Sequence, residues 1–540
     1  MNNFFEDKLF YIDSTNLNEI KSKIYGFGIS INDNKISLIN DNNCICGSFI
    51  NITKNENEIN IETDDFSSLY IFYYIKDNFF ALSNSFYKLL TELKNKGKHI
   101  SINKEYIEQY IQSPLHSHSL NNTLINEILI LPFGKNIKIK DNKLLFIDKQ
   151  INFQSISILS KDGIEIINSW INKWTNIIRP ILSSNYHIQI DLSGGFDSRV
   201  IFSLLYHTNI NLNKDNINIY SKHTGNKGLL EHLMDDYDVA TSLCNKLNLK
   251  ININEKGNNK SNYYSPEEQY EILKNTFLGL HKSGFNCLRE CEIPQFHFGG
   301  LNGEVIRGAL PNLNNKTITS RLTRNPIRNN KNVIDNFYSD LETLKNNSKN
   351  DFEALIKFFL STQCRSHFGL SIYNLYIANI YSISPFSDKE LLKLYVPDGI
   401  NKDIIFAIII YKTCPEIFDI NFTDNKSFSD NTKKLAIELS EKYKLIDIDK
   451  KYELIDIDKL HKTRDNKYCK ENAFNVVYKI FVENKELFIS KFGELFNDVE
   501  YAEKIYNFAN DFYLNKDNFT PNTWISCLTS IIEVFKILYK

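Results

Sequence analysis

The stretch Ile188-Gln-Ile-Asp-Leu-Ser-Gly-Gly-Phe-Asp-Ser-Arg199 decides the fold of this chain. Its first five residues belong to an apolar run with strand character, and the apolar pattern after Arg199 predicts a buried helix. Gly194 and Gly195 let the backbone turn tightly and pass close to a ligand. The helix N-terminus adds a partial positive charge. A strand, a glycine turn and a helix in this order indicate an anion site.

The polar side chains of this loop suit phosphate chemistry. Ser193 and Ser198 can donate hydroxyl hydrogen bonds, and Asp197 is placed to hold a Mg²⁺ that bridges phosphates. No Lys follows the glycines, so the stretch is not a Walker loop. The alternative is an ordinary turn between a strand and a helix. Turn chemistry alone explains two adjacent glycines flanked by Ser and Asp poorly.

Ser-Gly-Gly-Phe-Asp-Ser at 193–198 resembles the pyrophosphate loop, SGGxDS, of the ATP pyrophosphatase (PP-loop) superfamily. The surrounding chain is similar to the class B asparagine synthetase family within it. The resemblance implies that ATP is bound with Mg²⁺ and cleaved between its α- and β-phosphates. The ATP-binding residues that it implies are Leu192, Ser193, Gly194, Gly195, Asp197 and Ser198.

Strand and helix candidates alternate after this loop. Strands are expected at 217–221 and 250–253, with a helix at 236–247 between them. This alternation predicts an α/β fold with a doubly wound parallel sheet, which binds nucleotides outside the carboxyl ends of its strands. We expect two domains, a β-rich one at 1–155 and an ATP pyrophosphatase domain with a helical C-terminal part at 156–540.

The first 150 residues alternate short apolar runs with Asn and Asp turns. A helix is expected at 104–112, and 136–140 with 143–147 are expected to form a hairpin around Asp141-Asn142. The other predicted strands are 25–31, 35–39, 47–52, 58–63, 68–75 and 79–83.

This front region resembles the glutamine amidotransferase (Ntn) domain of the asparagine synthetase family at 46–49, 64–70, 80–85 and 127–134. That family hydrolyses glutamine with a Cys at the mature N-terminus. Here Met1 is followed by Asn2, and Cys44 is the first cysteine. We therefore expect a degenerate domain that does not hydrolyse glutamine and supports the rest of the chain. The alternative is that Cys44 or Cys46 becomes an N-terminal nucleophile after processing.

A second informative stretch runs from Phe296 to Gly308. It resembles the family segment GxxxDELFGG, whose acidic pair contributes a second Mg²⁺ contact. Gly303 stands where the family has the first acid, Glu304 matches the second, and Arg307 replaces a glycine. The resemblance implies that Glu304 joins Asp197 as a metal ligand and acts in catalysis, unless Gly303 weakens the site. The alternative is a turn with a surface Glu.

Three further positions follow from the resemblance. Lys426 lies where the family carries a phosphate-binding Lys, which would stabilise charge in the adenylation step as a catalytic residue. Arg199 is open between a phosphate or substrate contact and a surface position. Ser384–Pro397 resembles the family's PFLD segment and its following helix, with Asp388 at the helix start and Leu391, Leu392 and Tyr395 facing inward.

Composition narrows the class of protein. Charged residues make up 24% of 540 and the net charge is -2, so we expect no nucleic acid partner. We also expect no membrane association, no signal peptide and a cytoplasmic location. The nine cysteines are expected as reduced core thiols, with Cys287, Cys291 and His297 as a weak zinc alternative. His116 and His118 are expected in a surface loop.

The rest of the chain is expected to be mostly helical. A near-repeat at 443–450 and 452–459 indicates a local duplication in a surface insertion, and 522–538 predicts a closing amphipathic helix.

The resemblance implies a ligase that forms amide bonds and converts ATP to AMP and pyrophosphate. The resemblance implies that a small-molecule or peptide carboxylate is adenylated and then transferred to ammonia or an amine. A separate glutaminase stays open as a partner. Asparagine synthesis from ammonia is one alternative, and a non-catalytic protein that binds a nucleotide or a partner is another.

Overall fold

A computed structural model describes residues 8–32, 35–38, 44–112, 119–221, 231–252, 260–261, 265–280, 290–291, 295–307, 331–377, 380–454, 473–514 and 522–539. The fold is mixed α/β, with antiparallel sheets toward the start of the chain, a parallel sheet in the middle and helices toward the end. Across these residues, every helix is too short or too polar to span a bilayer.

The front of the chain forms two antiparallel sheets. Within the described residues, one has seven strands in the order β10-β9-β5-β4-β2-β3-β19 and the other has four in the order β1-β7-β6-β8. The strands are β1 (Tyr11–Asp13), β2 (Lys23–Asn32), β3 (Lys35–Leu38), β4 (Cys44–Lys54), β5 (Glu58–Thr63), β6 (Phe72–Lys76), β7 (Phe79–Ser83), β8 (Ile128–Ile130), β9 (Lys135–Lys140), β10 (Lys143–Asp148) and β19 (Glu453–Leu454).

The predicted hairpin of β9 and β10 is confirmed. Asp141 and Asn142 both have positive φ, 51° and 55°, which suits the tight two-residue turn that the twist of a hairpin requires. The helices α1 (Phe86–Asn95) and α2 (Lys104–Gln112) follow the sheets, and α2 has the predicted bounds.

Strand β19 comes from the second half of the chain and pairs in parallel with β3. Another short parallel pair joins β11 (Ile156–Ser157) to β18 (Leu394–Tyr395). Ahead of β19, residues 446–450 lie exposed along a long helix, where Asn172 donates to the Ile446 carbonyl at 3.0 Å. The first copy of the near-repeat is therefore on the surface, and most of the second lies outside the described residues.

The parallel sheet carries the predicted loop. Its order is β13-β12-β16-β17, from β12 (His187–Asp191), β13 (Ile217–Tyr220), β16 (Gln295–Phe298) and β17 (Ile380–Ile383). Ile190 and Phe298 are fully buried, as parallel strands covered on their faces require. Of the strand expected at 250–253, the structure describes a single parallel bridge, Tyr220 to Asn252. A separate pair joins β14 (Lys260–Ser261) to β15 (Glu290–Cys291).

Helices connect and cover the parallel sheet. Ser160 caps the long helix before β12 by accepting a hydrogen bond from the Gly163 amide, and the helix buries Trp170 and Trp174 as its apolar spacing predicts. The helices of this region are α3 (Lys161–Ser183), α4 (Phe196–His207), α5 (Glu231–Lys246), α6 (Pro266–Phe277), α7 (Gly303–Ile306), α8 (Lys331–Asn346), α9 (Asp351–Phe359) and α10 (Leu370–Ile377).

The segment 384–397 differs from its prediction. No regular helix follows Asp388; the chain forms 3-10 turns at Pro385–Ser387 and Leu391–Lys393. Leu391 is buried as expected, but Tyr395 is 37% exposed. Long-range contacts hold Asp388 in this turn: Oδ2 accepts from Trp174 Nε1 at 3.0 Å and Lys173 Nζ at 2.7 Å, while Oδ1 accepts from the Glu390 amide at 3.1 Å.

The described part of the C-terminal region is mostly helical, as predicted. Its last helix runs from Asn522 to Tyr539, one residue beyond the prediction, and buries Ile531 and Phe535. The helices are α11 (Ile404–Thr413), α12 (Asp430–Lys442), α13 (Phe474–Glu483), α14 (Lys485–Phe496), α15 (Val499–Leu514) and α16 (Asn522–Tyr539).

A π-helix at Leu360–Gly369 connects the two regions. Its Arg365 is fully buried and donates to the carbonyls of Ser67 at 2.9 Å and Leu131 at 2.8 Å. Its Cys364 thiol lies 3.1 Å from the Asn302 side-chain oxygen, beside the turn that follows β16. The π-helix therefore holds the front sheets next to the parallel sheet.

Candidate functional site

The loop 193–195 leaves the carboxyl end of β12 and enters α4. The hydroxyls of Ser193 and Ser198 lie 2.9 Å apart, and Ser198 accepts a hydrogen bond from the Ser193 amide at 3.1 Å. Gly195 is the N-cap residue and has no side chain to cap the helix. Leu192 is buried and donates its amide to the Tyr220 carbonyl at 2.8 Å, which fixes the start of the loop. The first turn of α4 thus faces the sheet edge with its amides and two hydroxyls.

Gly194 is held by two distant residues. Its amide donates to Asp236 Oδ1 at 3.0 Å, and its carbonyl accepts from the Thr423 amide at 3.1 Å. The Thr423 hydroxyl donates to the same Asp236 oxygen at 2.6 Å. A Cβ on Gly194 would lie 3.0 Å from that oxygen, so the position requires glycine. No local pattern identifies Asp236 or Thr423 as loop contacts, since both residue types are common in helix starts and loops.

Asp197 lies against the turn that follows β16. A Cβ on Gly300 would be 2.7 Å from the Asp197 Cβ, and one on Gly303 would be 2.6 Å from its Cγ. Both glycines are therefore needed for close approach. Asn302 holds the turn with a left-handed backbone, φ 70°, and donates to the Ser387 hydroxyl at 2.8 Å. Gly303, which stands where the resembled family has its first acid, makes room for the Asp197 carboxylate.

Three carboxylates surround one arginine at this edge. Arg307 donates from Nε to Asp197 Oδ1 at 3.1 Å, and its NH1 lies 3.8 Å from Asp403 Oδ1. Glu304 precedes Arg307 on α7, and its Oε2 is buried with no hydrogen-bond partner among the described residues. Burial raises the pKa of Asp197, although Arg307 opposes this. Burial and then the Asp197 charge raise the pKa of Glu304. Gly303, the residue before Glu304, packs against the Asp197 carboxylate, so the two predicted metal ligands come from adjoining stretches of backbone.

These carboxylates fit a Mg²⁺ that is shared with phosphate. Mg²⁺ commonly uses one or two carboxylates together with substrate phosphate oxygens and waters. Asp197 and the unpartnered oxygen of Glu304 supply that number. Among the described residues, no group of three or more His, Cys, Asp or Glu side chains could hold a metal without other ligands. The site therefore suits a metal that arrives with its substrate.

The segment that carries Lys426 contacts this loop, but the Lys426 side chain does not. Its ammonium pairs with Asp424 at 2.8 Å, and its side chain is 63% exposed. The segment that carries it is tied to the loop through Thr423, three residues earlier. The segment therefore reaches the loop, whereas the Lys426 ammonium is paired with Asp424.

Arg199 matches neither of its two interpretations. It is fully buried, donates to the carbonyls of Ile420 and Asn421, and stacks 3.7 Å from the Phe422 ring centroid. Burial lowers the pKa of its guanidinium to about 9. Phe422 in turn stacks on Phe196, the first residue of α4, with centroids 3.8 Å apart. Arg199 therefore anchors the segment that carries Thr423 and Lys426.

A polar line crosses three strands beside the loop. His297 Nε2 is 2.6 Å from Asp191 Oδ2, and its Nδ1 is 2.9 Å from the Ser382 hydroxyl. Both ring nitrogens are therefore engaged, which disfavours His297 as a zinc ligand. Cys287 lies outside the described residues, as do His116 and His118.

The front-region thiols are not poised for nucleophilic chemistry. Cys46 is buried in the middle of β4, and burial raises the pKa of its thiol. Cys44 is partly exposed at the start of the same strand. The six cysteines whose side chains the structure describes are all free thiols, and five of them are buried. This agrees with the expected reduced core thiols.

A scan against models of protein families and a search of curated proteins each found no match to this chain. The function proposed next therefore rests on the residues of this site.

Proposed function

We propose that this chain is a ligase that cleaves ATP to AMP and pyrophosphate, activates a carboxylate as an acyl adenylate, and transfers the acyl group to ammonia or an amine. One observation carries the proposal. Asp197 packs against Gly303 at the carboxyl edge of the parallel sheet, next to Glu304 with its buried, unpartnered Oε2, and beside a serine and glycine loop that opens a helix. This combination favours a phosphate chain bound with a divalent cation.

The strand order supports a doubly wound, PP-loop-like fold for this region. With the bridge at Asn252 counted as a strand position, the order across the sheet is third, second, first, fourth and fifth in the chain. The order reverses between β12 and β16, and ligands of such sheets bind at that point. The loop 193–198 follows β12, and the turn with Glu304 follows β16.

The chain's own groups would divide the work as follows. Ser193, Ser198 and the first amides of α4 would bind pyrophosphate oxygens, which the helix dipole favours. Asp197 and Glu304 would hold Mg²⁺, which neutralises charge on the phosphates when it is bound. Lys426 would leave Asp424 and stabilise the negative charge that develops as the α–β bond breaks. The hydrogen bond from the Thr423 amide to the Gly194 carbonyl ties this segment to the loop and supports this role for Lys426.

The front region supports ammonia or an amine as the nucleophile. Its buried, protonated Cys46 does not suit glutamine hydrolysis within this chain. Free ammonia, ammonia from a separate glutaminase, or an amine on a second substrate would then complete the reaction in the cytoplasm. Asparagine synthesis from ammonia is one member of this class.

A non-catalytic, nucleotide-binding role is the second candidate, and a specific observation favours it. Asp236 occupies the Gly194 amide, and Arg307 occupies one oxygen of Asp197. The Gly194 amide and one Asp197 oxygen, which MgATP would contact, are thus already engaged by charged side chains of the protein.

The test measures AMP and pyrophosphate from MgATP, ammonium and a metabolite extract of the source cell. We expect AMP rather than ADP, and a loss of about 100-fold or more in Asp197→Asn and Lys426→Met, since each removes charge stabilisation at the breaking bond. Asp447→Asn, which alters an exposed partner of His207, is the matched control and should keep full activity.

Two other results would separate the candidates. ATP that binds but gives no AMP with any fraction of the extract would favour the non-catalytic role. AMP formation at the same rate in Asp197→Asn would exclude the proposed site.

A further inference from the structure

Arg307 occupies an unusual position for a residue at the end of a four-residue helix. Its Nε donates to Asp197 in the first turn of α4, and its NH1 lies 3.8 Å from Asp403 at the start of α11. Its side chain is 20% exposed. It therefore connects three elements at the edge of the sheet while keeping part of its surface open.

Most of the hydrogen-bonding capacity of this guanidinium is unused. Arginine has five N–H donors in a rigid plane, a geometry that matches phosphate oxygens. The described residues accept a hydrogen bond from only one of them, Nε. The group lies 5.2 Å from the centroid of the Phe196 ring, which restricts its position beside the loop. The remaining donors are held in place without a protein acceptor in the described part of the chain.

The local charges call for a fixed cation. Asp197, Glu304 and Asp403 place three carboxylates around Arg307, and a bound triphosphate would add several negative charges to them. Asp197 has already committed one oxygen to Arg307. Mg²⁺ commonly uses one or two carboxylates with phosphate oxygens and waters, so Asp197 and Glu304 supply the carboxylates for one ion while Arg307 holds the remaining positive charge.

We propose that Arg307 is a phosphate-binding residue, with Asp197 and Asp403 holding its guanidinium so that the free donors contact the pyrophosphate portion of the nucleotide. The site then binds its triphosphate with one divalent ion, and Arg307 supplies the charge that a second ion would supply. This inference rests on the proposed function, and it names a residue that the loop motif does not contain.

The experiment uses the full chain and α,β-methylene ATP, which cannot be cleaved between the α- and β-phosphates. Calorimetry would measure its affinity in Mg²⁺, and Mn²⁺ titration followed by paramagnetic resonance would count the ions per bound nucleotide. We expect Arg307→Gln to weaken binding by roughly 10- to 100-fold, the usual range for hydrogen bonds to a charged group. Arg307→Lys should recover part of the affinity because it keeps the charge. The wild type should bind one Mn²⁺.

Arg179→Gln is the matched control, since Arg179 pairs with Asp449 on another surface, and it should bind like the wild type. The inference would be overturned if Arg307→Gln bound α,β-methylene ATP as tightly as the wild type or more tightly, at an unchanged thermal midpoint. Arg307 would then be a residue that occupies the carboxylates in place of a metal ion. Two Mn²⁺ per nucleotide in the wild type would also overturn the inference. If the wild type binds no analogue, the proposed function fails and this inference fails with it.

Discussion

Two clusters of buried charge differ in how completely the protein satisfies them. The front cluster consists of Asp64, Lys149 and Arg365, and the loop cluster consists of Asp197, Glu304 and Arg307. Lys149 Nζ lies within hydrogen-bond distance of four oxygens, on Thr63, Asp64 and Ser67, at 2.5 to 3.0 Å. Asp64 accepts hydrogen bonds from backbone amides including that of Phe66 at 3.1 Å. In the loop cluster, Glu304 Oε2 is buried without a partner among the described residues.

The difference separates structural charge from functional charge. An unsatisfied buried polar atom destabilises the folded state, and Glu304 Oε2 is the carboxylate oxygen among the described residues that lacks a partner in this way. The front cluster is complete within the chain and holds the π-helix against the front sheets through Arg365. The loop cluster is incomplete, although both clusters lie beside the same π-helix. We therefore propose that a ligand binds at the loop cluster and that the front cluster contributes stability.

The largest expected effect contrasts one substitution in each cluster. Lys149→Met should destabilise the ligand-free protein by about 3 kcal/mol or more, because it leaves several buried oxygens without a donor. Glu304→Gln should leave the thermal midpoint unchanged or raise it, because it removes a buried carboxylate charge that lacks a partner. Thermal denaturation without nucleotide measures both.

The nucleotide affinity of the same two variants is the control. Lys149→Met should bind α,β-methylene ATP normally below its midpoint, whereas Glu304→Gln should bind it weakly. A fall in midpoint for Glu304→Gln as large as that for Lys149→Met would show that the loop cluster is structural too.

A smaller effect is expected from pH in the front cluster. Burial raises the pKa of Asp64 to about 6, so the folded state binds its proton more tightly than the unfolded state. The free energy of unfolding should therefore fall as pH rises from about 4 to 6, by at most about 1.4 kcal/mol per pH unit. Burial lowers the pKa of Lys149 to about 8, so stability should rise again between about pH 8 and 10.

Thermal midpoints measured from about pH 4 to 6 and from about pH 8 to 10 test whether stability falls in the first range and rises in the second. Asp64→Asn should lose the slope in the acid window, and Lys149→Met should lose the slope in the alkaline window. Parallel profiles for the wild type and Asp64→Asn would mean that the Asp64 proton is bound equally in the two states.

Local patterns in the sequence predicted much of the fold. Strand β5, strand β7 and helix α2 have the expected bounds, because periodicity and turn residues act over a few positions. The pairing of β19 with β3 was not predictable, since it joins residues about four hundred positions apart. The helix predicted within 384–397 is absent for a similar reason. Trp174 and Lys173, more than 200 residues away in the chain, donate hydrogen bonds to the Asp388 carboxylate and hold this segment as turns.

The candidate site likewise combines residues that short motifs identify with contacts between distant residues that they do not. The loop residues 193–198 and Glu304 were identified from motifs, each carried by a short stretch of chain. The contacts of Arg307 with Asp197 and of Asp236 with Gly194 span 110 and 42 residues, so no local pattern indicates them. These two contacts engage the Gly194 amide and the Asp197 carboxylate, and only the three-dimensional structure reveals them.

The smallest expected effect concerns Asp236, a satisfied group at the border of the unsatisfied cluster. Its carboxylate accepts from the Gly194 amide and the Thr423 hydroxyl, and it places a negative charge beside the proposed phosphate position. Asp236→Ala should therefore tighten binding of α,β-methylene ATP by about 3- to 10-fold, because it frees one amide donor and removes a repulsive charge.

Asp236→Asn separates the two contributions to this gain. Its amide oxygen can still accept from Gly194, so it removes the charge and keeps the contact, and the affinity should lie between those of the wild type and Asp236→Ala. Calorimetry at two salt concentrations measures both variants, and the charge contribution should shrink at high salt. Weaker binding in Asp236→Ala would mean that Asp236 holds Gly194 in its binding conformation. Asp236 would then be a structural charge that the loop needs in order to bind the nucleotide.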